Sequence, residues 1–417
     1  MPARPFHTLD EIGNISGKHV IVRAALNVPV ENGVVRDDFR IKEACKTIQF
    51  LQKQGARVVV LAHLGRPVAG IAAPFGIMGQ DSGNRGEVPQ AHGNLGTGTL
   101  LPVSNALVQF LPHRFVSALF GDEVTSALES QKDGEVILLE NVRSDVRETG
   151  NSDDFAKALA AYGDIYINDA FADSHRAHAS IVGIPKYLPS YAGLSFVREY
   201  TELSKAFDPA HPALFVLGGA KFETKLPLVE RFVQEYDHVF IGGAIANDFL
   251  KGKGYEVGTS VVSEIDLSAS TLLTDPRIII PTDVVVNGPS GKLVKAADAV
   301  AKDEKILDIG PKTMQSLAPV IAEAKTILWN GPLGHYEGGY DEATDALANM
   351  IADASEQNHV VSILGGGDTV AAIEKLGLNE KFTFISTAGG AMLEFLEKET
   401  LPGIEALVVD DALLRSL

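Results

Sequence analysis

Residues 40–63, RIKEACKTIQFLQKQGARVVVLAH, carry two different hydrophobic periods in succession. Ile41, Ala44, Cys45, Ile48 and Leu51 recur at helical spacing, and Val58 to Leu61 then form an unbroken apolar run. A run without alternation fits a strand buried on both faces, as in a parallel sheet covered by helices. The same alternation recurs along the chain. HVIVRAAL, EVILLE, DIYIND, ALFVLGG, HVFIGG, RIIIPTD, KILDIG, TILWNGP, HVVSILGGG and FTFIST read as strands, with helical stretches such as DDFAKALAAYG, KLPLVERFVQEY and DEATDALANMIADAS between many of them. This pattern predicts an α/β protein with mainly parallel sheets.

At 417 residues the chain is long enough for two domains of ordinary size. A break at IPKYLPSYAGLS, residues 184–195, places the expected boundary between 1–187 and 188–402. Residues 69–98, rich in Gly and without periodicity, read as a long surface loop. The single cysteine, Cys45, excludes an internal disulfide framework and any zinc site built on several cysteines, and fits a reducing cytosol. No apolar run reaches the roughly 18 residues of a membrane span, and the first residues lack the apolar centre of a signal peptide. The expectation is a cytoplasmic protein without membrane contact. With 54 acidic against 36 basic residues and a net charge of -18, general affinity for nucleic acid is not expected.

In so acidic a chain, local cations are informative. The segments after the first-half strands carry Asn27, then His63 and Arg66 in HLGRP, Arg143 in LLENVR, and His175, Arg176 and His178 in NDAFADSHRAHAS. Taken singly, each reads as a surface or capping residue. Their recurrence after strand upon strand, where an open α/β sheet forms its crevice, points to a polyanion site. HRAH lacks the i, i+4 spacing of a helical zinc motif, so metal ligation by these histidines is not expected. The second-half strands instead end in glycine: GGAKFETK (218–225), GGAIAND (242–248), DIGPKT (308–313), NGPLGHYE (330–337), GGGDT (365–369) and TAGG (387–390). One such turn needs no explanation beyond tight geometry. Several in one half, two with Lys, suggest a phosphate or nucleotide cradle in which backbone N–H groups approach the ligand. No Walker-type GxxxxGK[ST] motif and no GxGxxG after the first strand is present.

Together RAALNVP, DDFRI, HLGRP, LLENVR, NDAFADSHRAHAS, GGAKFETK, DIGPKT, LWNGPLG, LGGGDT and ISTAGGAMLEFLE resemble the phosphoglycerate kinase family over nearly the whole chain. The resemblance implies two Rossmann-like domains about a hinge, the first for 3-phosphoglycerate and the second for nucleotide, with residues 403–417 returning to the first. It implies reversible phosphoryl transfer between 1,3-bisphosphoglycerate and ADP, giving 3-phosphoglycerate and ATP, by a monomeric enzyme using Mg2+ with the nucleotide. Carried over by position, Ala25, Asn27, Arg40, His63, Leu64, Gly65, Arg66, Arg143, His175 and Arg176 fall on the substrate side. Gly219, Ala220, Lys221, Lys225, Gly243, Gly334, Glu337, Gly366, Gly367, Asp368 and Thr369 fall on the nucleotide side, with Asp368 as the magnesium contact. Arg40, Lys221, Gly366 and Gly367 are the residues the resemblance assigns to catalysis, hinge closure bringing the two sides together.

The chain departs from the family pattern at Ala25, where an Asp normally contacts the substrate, at His335 and Tyr336, and at Ala388 in place of a Gly. Ala25 leaves open a phosphoglycerate-kinase-like nucleotide-binding protein with weakened or lost turnover. An NAD-dependent dehydrogenase of similar build is the third reading, against which the absent fingerprint stands.

Overall fold

The computed structural model describes residues 5–65 and 98–408. Arg66 and all of the expected 69–98 loop but Gly98 lie outside the described residues. The chain divides into two compact units, one running to Arg198 and resumed from Thr400, the other spanning Glu199–Glu399.

In the first unit, β1 (His19–Ala24), β2 (Val30–Glu31), β3 (Val34–Val35), β4 (Arg57–Leu61), β5 (Arg114–Phe115), β6 (Val136–Leu138), β7 (Ile165–Asp169) and β8 (Ser190–Ala192) are joined by α1 (Phe39–Lys53), α2 (Leu101–Leu107), α3 (Asp122–Glu129), α4 (Val146–Thr149) and α5 (Asp153–Ala160). Six strands form one sheet in the order β5-β6-β4-β1-β7-β8, with every pairing parallel. The two-residue strands β2 and β3 make a separate antiparallel hairpin. α1 turns Ile41, Ala44, Cys45, Ile48 and Leu51 onto Val20, Val22, Val58 and Val60 of the sheet, the stripe its sequence period requires. Ser152 caps α5 by accepting the Phe155 N–H, and Asp153 and Asp154 place negative charge at its positive end. Residues 184–195, expected as an irregular break, contain β8. Its pairing with β7 keeps this stretch in the first sheet.

β1 ends at Ala24, three residues short of an alternating strand that would run through Ala25 to Asn27. Arg23 is therefore the last polar residue on that strand, and Ala25 and Asn27 sit in the turn that follows. Sheet order reverses at β1, whose neighbours β4 and β7 lie on opposite sides. The segments leaving β1, β4 and β7 consequently emerge side by side at the carboxyl edge, where a crevice opens.

α6 (Leu194–Ser204) contains the division between the units. The second unit adds β9 (Ala213–Leu217), β10 (His238–Ile241), β11 (Ile278–Ile279), β12 (Asp283–Gly288), β13 (Gly291–Ala296), β14 (Lys305–Ile309), β15 (Thr326–Asn330), β16 (Val361–Gly365) and β17 (Phe384–Ser386). Its helices are α7 (Leu226–Glu235), α8 (Ile245–Gly252), α9 (Pro311–Glu323), α10 (Glu342–Asn358), α11 (Gly367–Leu376) and α12 (Gly390–Lys398). The main sheet runs β11-β10-β9-β15-β16-β17, all parallel, which is the doubly wound order with its switch point between β9 and β15. KILDIG does not join it. As β14 it pairs antiparallel with β12 in a three-stranded sheet β13-β12-β14 that has its own small core of Val284, Val286, Val300 and Ile306. α13 (Pro402–Glu405) belongs again to the first unit, where the Gly403 N–H donates to the Ser174 carbonyl at 2.8 Å.

Candidate active site

At the carboxyl edge of the first sheet, the turn after β1 and the turn after β4 are tied together by Asn27, whose Oδ1 accepts the Gly65 N–H at 2.9 Å. Its own carbonyl accepts Arg40 Nη1 from the start of α1 at 2.8 Å, which draws that half-buried guanidinium to the same edge. Gly65 adopts φ +71°, and its carbonyl accepts Arg143 Nη1 at 3.2 Å, while the Leu64 carbonyl accepts Asn141 Nδ2 at 2.9 Å. Asn27, Arg40, His63, Leu64, Gly65 and Arg143 are thus linked through one bonded frame or lie within it. Ala25 is half-buried in the turn after β1 and contributes only a methyl group.

The interior of this edge is charged. His63 is fully buried, with Nδ1 2.9 Å from Arg23 Nη2 and 3.3 Å from Asp173 Oδ2. Arg143 Nη2 lies 3.5 Å from Asp173 Oδ1. Burial pulls the His63 imidazole down to about 4, against the pull of Asp173, so the ring is neutral at pH 7. Burial likewise lowers Arg143 to about 10, Asp173 working the other way. For Asp173 itself burial opposes ionisation, but His63, Arg23 and Arg143 together hold its carboxyl well below the ordinary carboxylate range. His63 Nε2 and Arg143 Nε are buried and have no hydrogen-bond partner among the described residues. Arg176 follows on the same turn, its N–H donating to the Asp173 carbonyl at 3.1 Å, and its charge acts on both Arg143 and His178. His175 and Arg176 are half-buried there. Asp173 was not among the expected residues, and Arg23 was expected to face the crevice without being assigned to the site. The signal available was a carboxylate inside an otherwise basic motif.

In the second unit a cavity of about 300 Å³ opens at the ends of β9, β10 and β15 and is lined by Gly219, Ala220, Gly243, Gly334, Glu337 and Asp368 of the expected set. Gly243 has φ +60°, and a Cβ there would run into the backbone of Gly219, so two glycine turns pass in contact at the cavity wall. Lys225 is buried, its Nζ donating to the Gly218 carbonyl at 2.7 Å. Burial brings this ammonium down to about 8, with the charge of Asp368 opposing the shift and that of Lys221 reinforcing it. Gly366, at φ +104°, turns the chain from β16 into α11, whose first turn presents the exposed Gly367 and Asp368. Thr369 anchors that turn by accepting the Gly331 N–H at 2.9 Å. Asp308, expected only as part of a motif, also lines the cavity. Burial pushes its carboxyl up to about 6, although it accepts the Ile309 and Ala343 N–H groups. Of the departures, His335 and Tyr336 line the same cavity, and Ala388 is buried.

One unit therefore gathers buried cations at a sheet edge and the other a glycine-lined cavity with lysines and a helix start. A profile of the phosphoglycerate kinase family matches residues 9–399. Among curated relatives, a phosphoglycerate kinase of Xanthobacter flavus is 41% identical over 96% of this chain and 99% of its own. One of Dictyoglomus turgidum is 39% identical over 94% of this chain and 96% of its own. The solved phosphoglycerate kinase of Coxiella burnetii superposes with a TM-score of 0.79 at 36% identity, covering 97% of this chain and 99% of that one. That of Pyrococcus horikoshii OT3 gives 0.77 at 29% identity, covering 96% and 98%. Since the profile spans both units and these relatives match nearly end to end, the chain belongs to the phosphoglycerate kinase family.

Proposed function

We propose that this chain catalyses reversible phosphoryl transfer between the acyl phosphate of 1,3-bisphosphoglycerate and ADP, yielding 3-phosphoglycerate and ATP. The observation that carries the reading is the cationic edge of the first sheet, where His63 and Arg143 keep buried nitrogens without hydrogen-bond partners among the described residues of an acidic protein. Such donors suit a ligand carrying both phosphate and carboxylate. Asn27, His63, Arg143, His175 and Arg176 serve the acid, with Leu64 and Gly65 shaping the turn. Arg66 belongs to this set by position.

On the nucleotide side Gly219, Ala220, Gly243, Gly334 and Glu337 wall the cavity, while Lys221, Lys225 and the start of α11 face the phosphates. The acceptor carboxylate is already ionised at neutral pH, so the chemistry needs no general base. Catalysis is positioning plus stabilisation of charge on the moving group. Arg40 serves the acceptor side, and Lys221 with the N–H groups of Gly366 and Gly367 serves the donor side.

No group of three or more His, Cys, Asp or Glu suited to a metal occurs among the described residues. The exposed Asp368 carboxylate on the cavity wall, at the start of α11, fits a cation that enters with the nucleotide. Asp368 would hold Mg2+ together with the nucleotide phosphates, and the ion would supply charge neutralisation. The enzyme works as a monomer in this proposal, and in the cytoplasm, a reducing compartment that the single cysteine fits. No helix among the described residues is long and apolar enough to cross a membrane. The nucleotide-binding alternative rests on Ala25 alone, and membership of the family removes the dehydrogenase reading. The test is a coupled assay with ATP and 3-phosphoglycerate. Turnover is expected, and nucleotide binding without turnover would overturn the proposal.

A further inference from the structure

We infer that Asp173, acting with Arg23, is a positioning residue that locks His63 as the tautomer protonated on Nε2 and so turns this ring into an N–H donor toward the bound anion. The identity of that anion rests on the function proposed above. The tautomer does not.

A guanidinium can only donate, and Arg23 Nη2 stands 2.9 Å from His63 Nδ1. Nδ1 must therefore offer its lone pair. A proton on Nδ1 would set two donors against each other at that distance. Asp173 Oδ2 is the competing acceptor for such a proton, but it lies farther away, 3.3 Å from Nδ1. The guanidinium is held on its other side as well, where Nε donates to Ser180 Oγ at 2.9 Å and Nη1 to the Ala24 carbonyl at 2.7 Å. Ser180 is itself held by the buried Glu148, which accepts its hydroxyl at 2.6 Å and its N–H at 2.8 Å.

Asp173 makes this arrangement electrostatically tolerable. Its Oδ2 lies 3.3 Å from Arg23 Nη2 and its Oδ1 3.5 Å from Arg143 Nη2, so one carboxylate serves two buried cations from opposite oxygens. Removing it leaves Arg23 and Arg143 uncompensated and Arg23 without the contact that aims Nη2 at the ring. With Nδ1 engaged, the one ring proton of neutral His63 sits on Nε2, the buried nitrogen without a hydrogen-bond partner among the described residues. The depressed basicity of the ring agrees with this. His63 then contributes a hydrogen-bond donor to the crevice without adding another positive charge beside two arginines.

A long-range 1H–15N spectrum of the unliganded full-length protein near pH 7 tests the tautomer directly, with His63 assigned by the signals lost in His63→Asn. One bare Nδ1 and one protonated Nε2 are expected. A proton on Nδ1, or an imidazolium, overturns the inference, whatever any variant does. In Asp173→Asn and Asp173→Ala the His63 signals should shift toward a tautomer mixture. The KM for 3-phosphoglycerate should rise about tenfold, with kcat within about threefold and the KM for ATP within about twofold. Unchanged His63 signals together with an unchanged 3-phosphoglycerate KM in both variants also overturn it. Should either variant fail to fold, the wild-type spectrum still decides. Absence of turnover in the wild type counts against the proposed function and leaves the spectrum to judge Asp173.

Discussion

At the scale of single residues, the acceptor side depends on where carboxylates stand. Ala25 occupies the turn after β1, where the family resemblance leads one to expect an Asp, and offers the substrate no acceptor. Restoring it by Ala25→Asp is expected to lower the KM for 3-phosphoglycerate by roughly 5- to 150-fold, the worth of about 1–3 kcal/mol for a hydrogen bond to a charged group. An unchanged KM would show that the turn already satisfies the glycerate hydroxyl by other means. Lys225 has the opposite position, a buried ammonium already spending one hydrogen on the Gly218 carbonyl. Lys225→Met should raise the KM for ATP about tenfold while the KM for 3-phosphoglycerate stays within about twofold, measured by varying each substrate at saturating levels of the other. Of the site residues, Asn27, His63, Arg143 and the glycines could be picked out because their types recur after strands. Arg23 could be read as facing the same crevice, but not as the partner of Asp173. Their importance comes from a pairing across 150 residues of chain that no local pattern encodes.

At the scale of elements, two junctions carry testable consequences. Where the turns after β9 and β10 touch, Gly243→Ala would push a methyl into backbone at a left-handed φ, and backbone cannot yield as a flexible side chain does. A lowered Tm and at least about tenfold weaker ADP binding by calorimetry are expected. At the start of α6, Asp169 accepts the Ser195 and Phe196 N–H groups at 2.9 and 3.2 Å. Burial pushes its carboxyl up to about 7, with hydrogen bonds from Thr47, Phe196 and Ser195 pulling the other way. The folded chain thus binds this proton more tightly than the unfolded chain does. The stability it contributes is complete below the ordinary carboxyl value near 4 and is lost as pH rises through about 7, up to about 4 kcal/mol in all. Asp169→Asn keeps an acceptor and removes the titration, so its Tm relative to wild type should improve as pH rises from about 4 to about 7 and level off above that. A constant Tm difference across that range would refute the assignment.

At the scale of the whole molecule, no protein nucleophile is invoked, so the phosphoryl group should pass directly between bound substrates. Initial rates with both substrates varied should give intersecting double-reciprocal lines, and parallel lines would indicate a covalent intermediate. Light scattering should give a mass of 44.4 kDa if the chain is a monomer. The sequence by itself determined the α/β class, because a strand buried on both faces must be apolar throughout and a helix covering it must show a 3.6-residue stripe. Both signals are local. It also determined which residue types end the strands in each half, since turns and ligand cradles constrain composition at fixed positions. Only the tertiary structure decided that KILDIG leaves the parallel sheet for an antiparallel one, that residues 190–192 add a strand to the first sheet, and that β1 stops at Ala24. An apolar run carries no record of its partner strand, because partner choice is settled by long-range register and packing. For the same reason Arg23 became the buried neighbour of Asp173 and His63. Burial turns charge pairing into a requirement, and which charges meet depends on the order in which the strands lie side by side.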